Sequence, residues 1–172
     1  TALLQLRELG ITHIGMLTGD SSAVAKSVAS VLRIDDWHAE LLPDDKVEFI
    51  KKLQAQKNVV MVGDGVNDAA ALSIASVGVA MGGLGTEGTI DSAQIILMRD
   101  DLSTLPETIR LARRVREISI QDFWIWGASN GVGLLLVFTG IIGPAGAAAY
   151  NFLSDFLPLF NSMRVTRVQK KL

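Results

Sequence analysis

The 172-residue sequence contains no cysteine, which excludes disulfide bonds, thiolate metal sites and a cysteine nucleophile. Its formal net charge is only −2, so no strongly basic surface indicates a nucleic-acid partner. Residues 1–9 lack the basic start and apolar run of a signal peptide, and the sequence does not begin with methionine. We therefore expect a fragment of a longer protein that does not bind nucleic acid.

Short apolar runs alternate with helical patterns over the first hundred residues. The first helical pattern spans Ala2 to Leu9, and another starts at Pro43 and runs to about Gln56. The strand-like runs lie at residues 13–17, 37–41, 59–62, 77–81 and 95–98. Strands that alternate with helices predict an α/β fold with a parallel sheet covered on both faces.

A loop rich in glycine and aspartate follows the buried run Val59–Val62. The loop spans Gly63–Asp68 and leads directly into the helical pattern Ala69–Leu72. A strand that ends in such a loop at a helix start is where an open α/β sheet holds a phosphate-bearing ligand. Carboxylate oxygens are also ligands that suit Mg²⁺. The alternative is a glycine-rich turn whose acidic residues only cap a helix.

Two further polar groups stand at similar places. Thr18-Gly19-Asp20 closes the first strand, and Lys46 lies in the first turn of the helix that starts at Pro43. A hydroxyl, a cation and carboxylates together can hold a phosphoryl group and neutralise its charge during transfer. Each motif alone is typical of an ordinary turn or a capped helix, so the prediction depends on their combination.

Three motifs resemble the second half of the phosphorylation domain of P-type ATPases, which has a haloacid-dehalogenase-like (Rossmannoid) fold. They are Met16–Asp20, Pro43–Lys46 and Met61–Leu72, and the similarity continues through residues 79–82, 86–87 and 95–98. The resemblance implies roles for seven residues. Five residues are implied to contact the phosphoryl group or to neutralise its charge, namely Thr18, Gly19, Asp20, Lys46 and Asn67. Asp64 is implied to bind Mg²⁺, and Asp68 to support the loop or the metal.

The nucleophile of that family is an aspartate in an Asp-Lys-Thr-Gly-Thr motif, and this sequence contains no such motif. It also contains nothing that resembles the family's ATP-binding domain. We therefore expect an incomplete sheet that cannot form a phosphoryl-aspartate on its own, because the attacking carboxylate is missing. The resemblance implies part of an ATP-driven heavy-metal cation pump, with ATP bound mainly outside this chain. The alternatives are a phosphatase of this fold with a membrane anchor, or a non-catalytic membrane fragment.

The last third of the sequence is much more apolar than the rest. Residues 123–142 carry no charge, and a second apolar segment, residues 147–163, is interrupted only by Asp155. Basic residues flank both outer ends, which predicts a transmembrane α-helical hairpin in an integral membrane protein, of the plasma membrane, with both termini cytoplasmic. The alternative is a buried helical hairpin. The predicted domains are residues 1–101, a charged linking helix at 102–122, the two spans within 123–163, and a basic tail at 164–172.

Three polar residues in the predicted spans are candidate ligands of a transported cation, namely Asn130, Asn151 and Asp155. The alternative is that they only hydrogen-bond the two helices together. Asn161–Arg164 resembles the ending of the heavy-metal branch of P-type ATPases. The identity of the transition metal stays open, although oxygen ligands favour a harder ion such as Mn²⁺ over Cu⁺. The expected partners are the lipid bilayer, the metal ion and the remainder of the pump.

Overall fold

The computed structural model describes residues 1–64, 67–82 and 92–165. They belong to two units, Thr1–Pro106 and Glu107–Leu172. Three parts of the sequence-based predictions lie outside the described residues. These are the middle of the Gly63–Asp68 loop, the motif at residues 86–87, and the basic tail beyond residue 165.

The first unit alternates strands with helices, as the sequence predicts. Its helices are α1 (Ala2–Glu8), α2 (Ser22–Leu32), α3 (Pro43–Gln54) and α4 (Ala69–Ile74). Its strands are β1 (Gly15–Leu17), β2 (Asp36–His38), β3 (Val60–Gly63), β4 (Val77–Met81) and β5 (Ile95–Leu97).

Local chemistry explains where these helices begin and end. Helix α1 gives way to Gly10, whose φ of +86° suits a residue without a side chain. Helix α3 begins at Pro43, which cannot donate a backbone hydrogen bond and is therefore well placed in a first turn. The carboxylate of Asp45 accepts a hydrogen bond from the backbone N–H of Leu42 at 2.9 Å, which closes the start of α3.

All strand pairs are parallel, which confirms the predicted sheet type. Strands β1 and β2 pair with each other, whereas β3, β4 and β5 form a second hydrogen-bonded group in that order. Within the described residues, β1 and β3 therefore each have a hydrogen-bonded neighbour on one side only. Both open edges belong to strands that lead into the predicted phosphate-binding motifs.

The core of the first unit joins α3 and α4 to the three-stranded group. Ile50 of α3 and Leu72 of α4 pack with Met61 and Ala80, and both Leu72 and Ala80 are completely buried. Removing a side chain such as that of Leu72 from water stabilises the fold by about 2 kcal/mol. This packing fixes the starts of α3 and α4 relative to the end of β3.

The second unit is helical. Helix α5 runs from Thr104 to Phe138 without interruption, and is followed by α6 (Pro144–Ser154), α7 (Phe156–Ser162) and a 3₁₀ turn (Met163–Val165). The predicted linking helix and first span are therefore one helix, which crosses residue 122 without a break. No glycine or proline lies between Pro106 and Gly127, so nothing in the sequence ends the helix there.

The predicted pair of membrane-spanning helices needs correction. Among the described residues, no helix is both long enough and apolar enough to cross a bilayer. Helix α5 is long, but charged residues fill its first half, Ser129 and Asn130 interrupt its apolar half, and it ends at Phe138. The second apolar segment is divided at Asp155 into helices of 11 and 7 residues, so the predicted single span is absent from this region.

A polar cluster joins α5 to the end of α7. The carboxylate of Asp122 accepts hydrogen bonds from Asn161 Nδ2 at 2.8 Å and from Ser162 Oγ at 2.6 Å. Asn161 Oδ1 in turn accepts a hydrogen bond from Arg164 Nη1 at 3.1 Å. The Asn161–Arg164 pattern therefore has a structural role, because it closes the open end of the helical hairpin.

Candidate functional site

Backbone hydrogen bonds bring the Thr18 motif to the start of α3. The N–H of Leu41 donates to the carbonyl of Thr18 at 3.1 Å, and the N–H of Glu40 donates to the carbonyl of Asp20 at 2.9 Å. A Cβ atom at Gly19 would lie 3.4 Å from the carbonyl oxygen of Leu41, so the two loops are in close contact there. The loop after β1 is thereby fixed against the segment that leads into α3.

The Thr18 hydroxyl is part of a short hydrogen-bonded turn. It donates to Asp20 Oδ2 at 3.0 Å and accepts from the backbone N–H of Asp20 at 3.1 Å. This turn is an exposed, polar feature at the carboxyl end of β1. Hydroxyl and amide groups at this end of a parallel strand are suited to contact phosphoryl oxygens.

Lys46 and Asp68 form the most buried ion pair recorded among the described residues. Lys46 Nζ lies 2.7 Å from Asp68 Oδ1, and the two side chains are 13% and 16% exposed. Lys46 comes from the first turn of α3, and Asp68 is the residue immediately before α4. The pair links the second and third predicted motifs, and the cation faces the loop that follows β3.

Gly63 is required by the close approach of Asp68. A Cβ atom at residue 63 would lie 2.6 Å from Asp68 Oδ2 and 2.9 Å from Asp68 Cβ, well inside contact distance. The glycine therefore lets Asp68 pack against the end of β3 and reach Lys46. Asp64 follows at once with an exposed side chain, and Asn67 is also exposed.

Asp64 and Asp68 are the carboxylates that suit Mg²⁺ in this region. Hard oxygen ligands fit the ion, and Mg²⁺ characteristically completes its coordination with water and phosphate oxygens. Within residues 1–64, 67–82 and 92–165, no three histidine, cysteine or acidic side chains come together as a metal site. The donor chemistry therefore fits Mg²⁺ held by one or two protein carboxylates together with groups from a bound phosphate.

A cavity of about 330 Å³ lies beside this cluster, between the open edges of β1 and β3. Its walls include Gly15 and Leu17 of β1, Val60 and Val62 of β3, and Asp68. The cavity therefore extends along the open edge of each strand and reaches Asp68, the partner of Lys46.

An ion pair away from the cluster ties α1 to the residue before β2. Arg7 Nη2 lies 3.0 Å from Asp35 Oδ2 and donates a hydrogen bond to this carboxylate. That hydrogen bond, and a second one from the backbone N–H of Ile14, lower the pKa of Asp35. The pKa of Asp101, just before α5, is lowered by hydrogen bonds from the Ser103 hydroxyl and N–H. Both carboxylates serve local structure.

The second unit contains a smaller cavity, of about 200 Å³, between α5 and α6. Asn130 and Asn151 both line it, so the structure brings these two predicted cation ligands together. Asn130 Nδ2 donates to the carbonyl of Trp126 at 2.8 Å, which leaves the amide oxygen as its acceptor group. Asp155 is exposed and does not line the cavity, so the third predicted ligand stands apart.

Comparison with known proteins gives a consistent result. Residues 1–75 match a family model described as haloacid dehalogenase-like hydrolase. The chain is 41% identical over 170 residues to a probable cadmium-transporting ATPase of Staphylococcus aureus, a match that covers 98% of this chain and 21% of that protein. It is 40% identical over 166 residues to a manganese-exporting P-type ATPase of Mycobacterium leprae, covering 96% of this chain and 23% of that protein.

The solved structure of a zinc-transporting PIB-type ATPase in an E2.Pi state matches with a TM-score of 0.86 and 33% sequence identity. This match covers 95% of the chain and 27% of the zinc transporter. The chain is homologous to one segment of the heavy-metal P-type ATPases. The resemblance seen in the sequence is thereby confirmed.

The chain spans only about a fifth to a quarter of the length of the heavy-metal P-type ATPases that it matches. These relatives are named for cadmium, manganese and zinc, and the metal therefore differs among proteins of nearly equal similarity to this chain. The comparison leaves the metal open, as the sequence does.

The structure also reveals contacts that sequence reasoning missed. Tyr150 donates a hydrogen bond to the carbonyl of Ser129, and its ring packs against Gly133. Two features of the sequence could have indicated this contact: Tyr150 is the only tyrosine of the chain, and it directly precedes Asn151. The Asp122 cluster carried no comparable signal, since an acidic residue in a charged helix is ordinarily exposed to solvent.

Proposed function

We propose that the chain is the C-terminal part of an ATP-driven heavy-metal cation pump that works through an aspartyl-phosphate. The observation that carries this proposal is the Lys46–Asp68 pair. It joins two motifs at the carboxyl end of β3, in a chain homologous to such pumps over 98% of its length. A largely buried cation beside a glycine-rich, acidic loop is suited to phosphoryl transfer, where charge on the transferred group must be neutralised.

Each residue of the cluster has a proposed role in the complete pump. Thr18, Gly19 and the turn closed by Asp20 contact phosphoryl oxygens, and Asn67 contacts the same group from the loop after β3. Lys46 neutralises its charge, and Asp68 positions the lysine through the 2.7 Å contact. Asp64 holds Mg²⁺, and Asp68 supports the loop or assists the metal. The bound ion would supply electrostatic stabilisation of the transferred phosphoryl group.

The nucleophilic aspartate is proposed to come from outside this chain. Support comes from the cavity of about 330 Å³ between the open edges of β1 and β3. A parallel strand placed there would pair with both edges and join the two groups of strands into one sheet. The carboxyl end of such a strand would lie between Thr18 and Asp64, where an attacking carboxylate is needed. ATP would be bound mainly by parts of the pump that this chain lacks.

The transported ion is proposed to pass the second unit near Asn130, Asn151 and Asp155. The shared cavity supports a role for the two asparagines, and Asp155 lies one helical turn after Asn151. In the complete pump, Asp155→Ala should abolish the stimulation of ATP hydrolysis by the transported metal. Unchanged stimulation would remove Asp155 from the ion path.

Lipid contact of the second unit is proposed on a separate observation. Large apolar side chains are exposed along its helices, including Phe138 at 84%, Trp124 at 70% and Phe152 at 66% exposure. Exposed apolar surface of this extent is usually covered by a partner, and lipid would cover it in an integral membrane pump. The proposed location is the plasma membrane, with both termini on the cytoplasmic side. The protein should then stay with membranes through high-salt and alkaline washes and dissolve only in detergent. Release by either wash favours a haloacid-dehalogenase-type phosphatase with a peripheral hairpin.

The pump proposal is tested by ATP hydrolysis in the purified complete protein. Hydrolysis should be stimulated by a transition metal and inhibited by vanadate, which resembles a phosphoryl group in transfer. Lys46→Met should abolish stimulated hydrolysis. The matched control is Lys52→Met on the same helix, because Lys52 is 76% exposed and its ion pair with Glu48 spans one turn at the surface. Equal activity of the two variants would contradict the proposed role of Lys46.

A further inference from the structure

Tyr150 of α6 is in direct contact with α5. Its hydroxyl donates a hydrogen bond to the backbone carbonyl of Ser129 at 2.8 Å, in partly buried surroundings. A Cβ atom at Gly133 would lie 2.8 Å from ring atom Cε1 and 3.0 Å from Cδ1 of Tyr150. The ring therefore occupies space that any larger residue at position 133 would need.

The same ring forms a wall of the cavity shared by Asn130 and Asn151. Asn151 directly follows Tyr150 on α6, whereas Asn130 and Gly133 lie one turn apart on α5. Tyr150 therefore links the part of α5 that carries Asn130 to the part of α6 that carries Asn151. The polar groups at this cavity are neutral oxygen donors, from two amides and a phenol.

We propose that Tyr150 is a specificity-determining residue for the transported cation. Its contacts with Gly133 and with the Ser129 carbonyl set the spacing of the two amide oxygens. The spacing and the hard oxygen donors together favour a small, hard divalent cation such as Mn²⁺ over the larger and softer Cd²⁺. This inference rests on the proposed pump function and on Asn130 and Asn151 facing the ion path.

Two variants change the contact in different ways. Gly133→Ala forces the ring away from α5, and Tyr150→Phe removes only the hydrogen bond to Ser129. The matched control is Gly131→Ala on the same helix, because a Cβ atom at residue 131 has no atom within 4 Å. A coupling test adds Tyr150→Leu, which removes the ring and should make Gly133→Ala harmless in that background.

The measurement is the ratio of Mn²⁺-stimulated to Cd²⁺-stimulated ATP hydrolysis in the complete pump, together with equilibrium binding of each metal to the same preparation. We expect Gly133→Ala to lower the Mn²⁺/Cd²⁺ ratio about tenfold, equivalent to about 1.4 kcal/mol. Tyr150→Phe should lower it about threefold, and Gly131→Ala should leave it unchanged. Binding affinities should change in the same direction as the hydrolysis ratio.

Three results would overturn the inference. An unchanged ratio in both Gly133→Ala and Tyr150→Phe overturns it while the pump proposal stands. Equal losses of hydrolysis with Mn²⁺ and with Cd²⁺ overturn it too, because they indicate a role in folding alone. Tyr150→Phe remains informative if the Gly133→Ala variant does not assemble. If neither metal binds to or stimulates the unmodified pump, the assumed ion path fails and the inference falls with it.

Discussion

Replacing Lys46 by methionine is the most informative perturbation of the first unit. Its effect on the free energy of unfolding reports the ion pair alone, without any phosphate chemistry. Methionine keeps the length and apolar stem of the side chain but leaves Asp68 as a largely buried carboxylate without its cation. Breaking a buried ion pair by removing one partner costs about 3–5 kcal/mol. Because the two side chains are still 13% and 16% exposed, we expect a loss of about 2–3 kcal/mol.

The assay is urea unfolding of the whole chain, followed by the fluorescence of Trp37 in β2. Trp124 and Trp126 are replaced by phenylalanine in all samples, so that the signal reports the first unit alone. With a denaturant slope of about 2 kcal/mol/M, Lys46→Met should lower the midpoint by about 1 M or more. Lys52→Met should lower the free energy of unfolding by at most about 0.5 kcal/mol, because its ion pair is exposed.

A second comparison identifies the cause of the loss. In Lys46→Met with Asp68→Asn, the buried unpaired charge is gone, and we expect most of the lost stability to return. The reasoning is refuted if Lys46→Met is no more destabilising than Lys52→Met. It is refuted equally if Asp68→Asn adds a further full loss, because the two side chains would then not be coupled.

Two further predictions concern the stability of the first unit. Gly78→Ala should lower the free energy of unfolding by about 1–3 kcal/mol, because a Cβ there would lie 2.5 Å from the carbonyl oxygen of Leu72. Gly15→Ala is the matched strand control, with its nearest atom at 3.7 Å, and urea midpoints compare the two. The interaction with Arg7 lowers the pKa of Asp35 in the folded chain. This interaction therefore stabilises the fold at pH values above the ordinary carboxyl pKa of about 4, and the stabilisation is lost as the pH falls through the lowered pKa. The stability difference between the unmodified chain and Asp35→Asn should therefore shrink as the pH is lowered from 6 to 2.5, and a constant difference would contradict this.

The sequence predicted the strands and short helices of the first unit well, because each is marked by local chemistry. Strand β4 was predicted with its observed bounds, and α3 was predicted to begin at Pro43, as it does. Apolar β-branched runs and proline at a helix start leave few alternatives at this scale. The sequence also grouped Thr18, Lys46 and Asp68 as one candidate phosphate site, which stays a prediction. It did not predict the pairing of Lys46 with Asp68, since side-chain partners 22 residues apart depend on packing.

The second unit was predicted less well. Hydropathy suggested a boundary near residue 122, but α5 continues through it because helix continuity depends on the absence of breakers rather than on polarity. The division at Asp155 was likewise missed, although a carboxylate in an apolar segment was noted. Contacts such as Tyr150 with Ser129 arise from the approach of two helices, which no local pattern encodes.

The central claim is that this chain supplies one part of a phosphoryl-transfer site and lacks the nucleophile. The direct test is incubation with ATP labelled at the γ-phosphate, followed by acid quenching and a count of protein-bound label that hydroxylamine releases. We predict no such label on this chain alone, and label on the complete pump that Thr18→Ala and Lys46→Met reduce at least tenfold. Hydroxylamine-sensitive label on the isolated chain would contradict the account.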